Sequence, residues 1–347
     1  MLAAMRQTCD ESFMICAAFP KASCHPAIRI SKASALVLAV VILSSRSHGA
    51  TLYPVIVGDR WGFIDKSGSL VINPQFERAG SFASGLAEVR LGKWGYVGTD
   101  GKIVINPQFD EAAPFSDGLA TVKIGGRYGY INADGKYAIN PQFDDAGHFA
   151  EGRAWIKQKR LYGYIDKTGA IVINPQFQSA SEFSESFAVV ELGGRFGYVD
   201  PAGKIVINPQ FEKAGPFSDG LAEIRSNRRW GFIDKSGKVV INPQFDETHP
   251  FVKGLAPARL GKLWGFIDQT GHFAINPQFD DAGGFSEGLA RVRSVGRWGF
   301  IDKGGKTVIN PQFDEAMPFS DGLARVKLSR KIGYVDANGK YVWNPAN

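Results

Sequence analysis

The stretch Trp230-Gly231-Phe232-Ile233-Asp234-Lys235-Ser236-Gly237-Lys238-Val239-Val240-Ile241-Asn242-Pro243-Gln244-Phe245 decides the fold, because the chain is made of copies of it. An aromatic-Gly pair starts at Trp61, Trp94, Tyr128, Tyr162, Phe196, Trp230, Trp264 and Trp298, and Ile332-Gly333 is an aliphatic ninth. Successive starts differ by 33 residues once and by 34 thereafter. A fixed period of this size marks a repeat architecture, in which each unit buries its apolar face against the next.

Each copy reads as three short strands. Leu221-Ala222-Glu223-Ile224-Arg225 alternates apolar and charged residues at period two. Trp230 to Asp234 is rich in the aromatic and β-branched residues that suit a pleated surface. Asp234-Lys235-Ser236-Gly237 fits a type I turn whose final glycine takes positive φ. Lys238 to Ile241 forms the third strand, stopped at Asn242-Pro243 because proline cannot donate to a ladder. Helical periodicity is absent. Two phenylalanines six apart recur in each connector, from Phe76/Phe82 to Phe313/Phe319, and read as plugs that pin it to the sheet. The recurring aromatics are read as core, and the glycine after each as room for a ring of the adjoining copy.

The phase of the repeats bears on how the ends meet. Thr51 to Asn73 already makes a whole meander, and another closes at Asn344-Pro345, so no sheet is split between the two ends. This favours an all-β, open twisted stack or superhelix of nine three-stranded antiparallel meanders over 51–347, with end copies marked by Ile332 and Trp343 acting as caps. A closed propeller-like ring is the alternative.

The formal charge is +6, and half of it lies in residues 1–50, so the array itself is only mildly basic and a nucleic-acid partner is not expected. Cys9, Cys16 and Cys24 also lie there, leaving the array without a disulfide framework or a cysteine metal site. Arg29 and Lys32, the apolar core 35–43 and small residues to Ala50 have the layout of an export signal removed near Ala50. The apolar run is too short to span a bilayer. A periplasmic, cell-surface or secreted protein is therefore expected, and the long lead before Arg29 suggests a start downstream of Met1.

The aromatic-Gly-aromatic-Ile/Val-Asp start, the turn glycine, the Asn-Pro-Gln-Phe stop and the Phe-Ser-Asp-Gly-Leu-Ala restart resemble the bacterial WG-containing repeat family from Leu52 to Pro345. The resemblance implies a β-rich array and no shared chemistry. Departures are Gly98 and Asn132 in place of the turn aspartate, Ser186-Phe187 in place of Gly-Leu, and Glu191 at an otherwise basic position.

Chemistry is sparse. The histidines of the array, His148, His249 and His272, fall in different copies, and no nucleophile elbow or phosphate loop occurs. No catalytic residue, cofactor or metal site is assigned, although connector acids such as Asp280, Asp281 and Glu287 raise calcium as a minor reading. The strongest pattern is a basic stripe at the end of strand one: Arg90, Lys123, Lys157, Arg225, Arg259, Arg293 and Lys327. A second basic row precedes the aromatics, and turn aspartates form an acidic row able to relieve both. The expected function is a non-enzymatic interaction scaffold of the envelope or exterior that binds an extended protein or envelope polymer. A carbohydrate- or anionic-polymer-binding module and a purely structural spacer are the alternatives.

Overall fold

The computed structural model describes residues 51–344, so the export signal expected in 1–50 lies outside the described residues. The chain forms nine antiparallel sheets in succession, eight four-stranded and the first three-stranded. Blade 6, which contains the stretch quoted above, orders its strands Lys213–Ser218, Leu221–Ser226, Arg229–Asp234 and Val239–Phe245. The three expected strands are present, and the connector supplies a fourth. In most blades that strand is only two residues long, such as Glu111–Ala112. It joins strand one through a two-residue hairpin: Asp117 and Gly118 have φ of 55° and 87°, and Ser116 and Leu119 exchange backbone hydrogen bonds of 2.9 and 3.1 Å. Asp-Gly suits this turn because both central residues need positive φ.

The glycine after each aromatic has a different cause from the one expected. Trp230 pairs with Phe245 and Phe232 with Ile241, so three residues of strand three bulge opposite Gly231 alone. A Cβ on Gly231 would lie 2.4 Å from the Ile241 carbonyl oxygen and 2.6 Å from the Pro243 nitrogen. The approaching group is therefore backbone of the same sheet, and no neighbouring ring is involved. Gly237 does have positive φ, 84°, and donates to the Asp234 carbonyl at 2.9 Å. The Asp234 carboxylate accepts the N–H groups of Ser236 and Lys238. Asn132 accepts the equivalent pair through its side-chain oxygen, which is why that departure leaves the turn intact.

Blades join through aromatic plugs. The second aromatic of strand two is fully buried and packs on the second phenylalanine of the next connector, as in Tyr130–Phe149 at 4.8 Å, Tyr164–Phe183 at 4.9 Å and Phe232–Phe251 at 4.7 Å. Polar bonds fix the register: the Tyr130 hydroxyl donates to the Gly147 carbonyl at 2.9 Å, and the Gly152 N–H donates to the Asp117 carboxylate at 2.7 Å. The first aromatics are less buried than a core reading implies. Trp264 is 5% exposed, but Trp61, Trp94, Trp230 and Trp298 are only partly buried at the edge of the core.

The array closes into a nine-bladed ring, a β-propeller, and the open stack is overturned. Tyr334 of blade 9 meets Tyr53 of blade 1 edge to face, with ring centroids 5.5 Å apart. The Tyr334 hydroxyl donates to the Pro54 carbonyl at 2.9 Å and the Tyr53 hydroxyl to the Asp321 carbonyl at 2.7 Å. Burial, with Asp321 and Glu287 nearby, pushes the Tyr53 pKa up to about 12, so it remains a donor. Ile332 and Trp343, expected as caps, pack on this seam cluster of Tyr53, Val55, Ile64, Leu323 and Tyr334. A split sheet is unnecessary because every blade junction is made by side chains. Any residue that supplies a plug can close the ring.

Candidate binding face

Antiparallel strand order sends alternate turns of every blade to opposite faces of the ring. One face carries the hairpins between strands one and two, the other the Asp-Gly hairpins and the Asp-Lys-Ser-Gly turns. On the first face the hairpin tips are stapled to one another. Lys93 of blade 2 pairs with Asp110, which accepts the tip N–H of Gly125 in blade 3. Arg127 pairs with Asp144, which accepts from Lys159 in blade 4. Arg229–Asp246–Gly261 and Arg297–Asp314–Ser329 repeat the arrangement. The second basic row thus bridges blades.

The predicted stripe lies on this same face, with one residue in each of seven of the nine blades, cross-strand from the first aromatic: Arg90 faces Trp94, Arg225 faces Trp230 and Arg293 faces Trp298, whereas Ile56 and Glu191 hold the position in blades 1 and 5. Most members have an acidic partner. Lys123 meets Glu111 at 2.8 Å, Arg225 meets Glu212 at 3.3 Å, Arg259 meets Glu247 at 3.1 Å, Lys327 meets Glu315 at 2.7 Å, and Arg90 lies 3.6 Å from Glu77. Lys157 stands opposite Asp145 and 5.0 Å over the Tyr162 ring. Arg293 stands opposite Asp281 and is exposed. The exception explains itself: Glu191 accepts from Ser179, which replaces the acid. Such exposed pairs are worth at most about 1 kcal/mol each.

The partners are connector acids. The turn aspartates expected to relieve the stripe lie on the other face, where turn N–H and hydroxyl groups occupy them. Hydrogen bonds from Ser67, Thr168, Ser236 and Thr270 lower the pKa of Asp65, Asp166, Asp234 and Asp268. Even after pairing, Lys and Arg outnumber Asp and Glu on the hairpin-tip face, while acids outnumber bases on the other. The ring is electrically polar from face to face.

Two further features escaped the sequence reading. Several tips carry exposed apolar residues, including Leu91, Leu161, Leu192, Leu260 and Leu263 at 38–49% exposure and Val295 at 92%. Beside them, between blades 7 and 8, is an open groove of about 590 Å³ where His249 stacks on Trp264 at 4.9 Å and Arg259 and Arg291 flank it. Burial lowers the His249 pKa, favouring the neutral ring. Trp155, unaccounted for by the repeat, lies over Gly147 and packs on Tyr162 at 5.4 Å. Elsewhere one acid, Glu223, is buried between blades 6 and 7, and another, Glu88, is half-buried beside Gly80. Desolvation raises both Glu88 and Glu223 to about 7. Glu223 accepts the Thr248 hydroxyl at 2.8 Å, whereas Glu88 leaves Oε2 without a partner. Among the described residues no group of His, Cys, Asp and Glu is placed to hold a metal, and no helix is long and apolar enough to cross a membrane.

Comparison with solved structures supports the fold. A eukaryotic initiation factor aligns with a TM-score of 0.61 at 11% identity, covering 84% of this chain and 95% of that one. The dihydro-heme d1 dehydrogenase NirN aligns at 0.45 with 13% identity, covering 84% of this chain and 72% of that one. Hsv2p of Kluyveromyces lactis aligns at 0.42 with 11% identity, covering 65% and 92%. Only the first is close enough to carry an argument, and at that identity it speaks to fold alone. A comparison with curated proteins finds no match. The WG containing repeat matches residues 61–93, 94–128, 128–161, 162–196, 196–229, 230–264, 264–294 and 298–331. These eight consecutive matches span most of the nine-bladed ring, and the chain therefore belongs to the WG containing repeat family.

Proposed function

We propose that this chain is a non-enzymatic interaction protein that binds an extended anionic partner across the hairpin-tip face of its ring. The carrying observation is the alignment of equivalent basic residues, in seven of the nine blades, on a face whose tips are stapled together. A rigid array of like charges suits a partner that repeats its own charge. Such binding weakens as salt rises. Replacing Arg225, Arg259 and Arg293 with Gln removes three stripe charges and leaves Glu212, Glu247 and Asp281 without their basic neighbours. Binding to an anionic envelope polymer is expected to collapse while the melting transition is retained. Unchanged binding would remove the stripe from consideration.

The ion pairs of the stripe favour a second reading, a structural spacer whose charges serve only the ring. It predicts no salt-sensitive ligand at all. Export to the envelope or exterior remains part of the proposal, supported by the basic flank at Arg29 and Lys32 and the 35–43 apolar core. Sequencing the mature N-terminus tests it, and finding Met1 there would defeat it.

A further inference from the structure

We propose that the hairpin-tip face lies against a bilayer surface bearing anionic headgroups, with the tips of blades 7 and 8 entering its interfacial layer. This rests on the reading of that face as an anion-binding surface and names the partner. The first observation is exposure. Val295 is 92% exposed, the most exposed large apolar side chain of the ring, and Leu260 and Leu263 on the neighbouring tip are 49% and 39% exposed. None of the three is needed to cover a core from those positions.

Strain is the second. Val295 has φ of 49°. A β-branched residue is a poor occupant of left-handed backbone, where the equivalent tips of blades 3 and 5 use Gly125 and Gly193. The chain thus keeps an unfavourable side chain at a place where it is almost wholly exposed. Charge complementarity is the third. Lys262 stands exposed between the two leucines, and Arg297, which also holds the Asp314 staple, follows the Val295-Gly296 turn and is exposed too. Apolar tips ringed by Lys and Arg are what an anionic bilayer interface selects. A soluble polyanion would use the charges and has no use for the apolar tips. The ring places several such tips on one face, so they can reach a flat surface together.

The test is flotation of the full chain with vesicles of phosphatidylcholine, with and without phosphatidylglycerol, and with polyphosphate as a soluble polyanion. The parent should float with the phosphatidylglycerol vesicles and be released by salt. Each interfacial Lys or Arg is worth roughly fivefold in partitioning. The triple variant Leu260→Ser, Leu263→Ser, Val295→Asn should lose at least about tenfold. Asn tolerates the left-handed turn better than Val, so melting should not fall in this variant. Because residues 35–43 are apolar and present in both proteins, the difference between parent and variant isolates the tips. Equal partitioning of parent and variant, or equal partitioning into both vesicle types, would overturn the inference. Polyphosphate binding that needs Arg225, Arg259 and Arg293, without vesicle binding, sinks the bilayer and leaves the anion-binding face standing. Binding to neither sinks both.

Discussion

At the junction of blades 3 and 4, Tyr130 packs on Phe149 at 4.8 Å and donates to the Gly147 carbonyl at 2.9 Å. At the junction of blades 9 and 1, Tyr334 packs on Tyr53 at 5.5 Å and donates to the Pro54 carbonyl at 2.9 Å. The same socket is filled from two different places in the repeat. Phe149 comes from a connector, whereas Tyr53 comes from strand one, at a position that is alanine in Ala87, Ala120, Ala154 and the later copies. One large residue in place of a small one therefore does for the seam what a whole connector does elsewhere. A propeller can close without sharing a sheet between its ends, provided one side chain reaches the vacant socket.

The largest expected effect should not distinguish the two regions, because it lies within blades. Gly231→Val, far from the seam, and Gly62→Val, beside it, each drive a side chain into backbone within 2.5 Å. Each should destabilise by more than about 4 kcal/mol in chemical denaturation. A mild effect at either one would mean that the blades differ internally.

The plugs come next. Phe149→Ala should cost about 3–5 kcal/mol as a buried aromatic truncation. Tyr53→Ala should cost a comparable amount and, unlike Phe149→Ala, should enlarge the particle in small-angle scattering as the ring opens. Tyr53→Phe should keep the ring closed and lose only about 1 kcal/mol, the worth of its bond to Asp321. If Tyr53→Ala behaves like a surface substitution, the seam is held by something else.

The smallest effect separates junctions by pH. Glu223 occupies the strand-one position held by Thr121 in blade 3 and by Pro54 at the seam. Its pKa is raised from 4.5 to about 7, so the folded state holds a proton that the unfolded chain releases first. That contribution is fully present below the unfolded value and is lost as pH rises through about 7. The loss is on the order of 3 kcal/mol. Glu223→Gln should flatten the fall in denaturation midpoint across that window, leaving only the share of Glu88, whose pKa is likewise about 7. The seam, with Pro54, should not loosen with pH. An unchanged pH profile in Glu223→Gln would show that the carboxyl titrates normally.

Much of the blade was legible because its signals are local. The turn at Asp234–Gly237, the stop at Asn242-Pro243 and the plugs at Phe211/Phe217 each act within a few residues of themselves. The fourth strand was missed although its Asp117-Gly118 turn is a hairpin signal, because a two-residue strand such as Glu111–Ala112 leaves no period to read. Gly231 was recognised as a close approach, yet the approaching atoms belong to a bulge whose register depends on strand pairing. The stripe from Arg90 to Lys327 could be aligned from spacing alone. Its partners could not, since Glu111 and Lys123 become neighbours only when the short strand folds back.

Repetition by itself determined that the chain is all-β, that it has nine equivalent units, and that equivalent side chains line up. Those properties follow from the period and from alternation along each strand. Whether the units spiral or close was decided in three dimensions, because the angle between blades accumulates over the whole array and is settled by the last contact, Tyr53 against Tyr334. The charge difference between faces arose the same way. Turns that look alike along the chain are sent to opposite ends of the ring by antiparallel order.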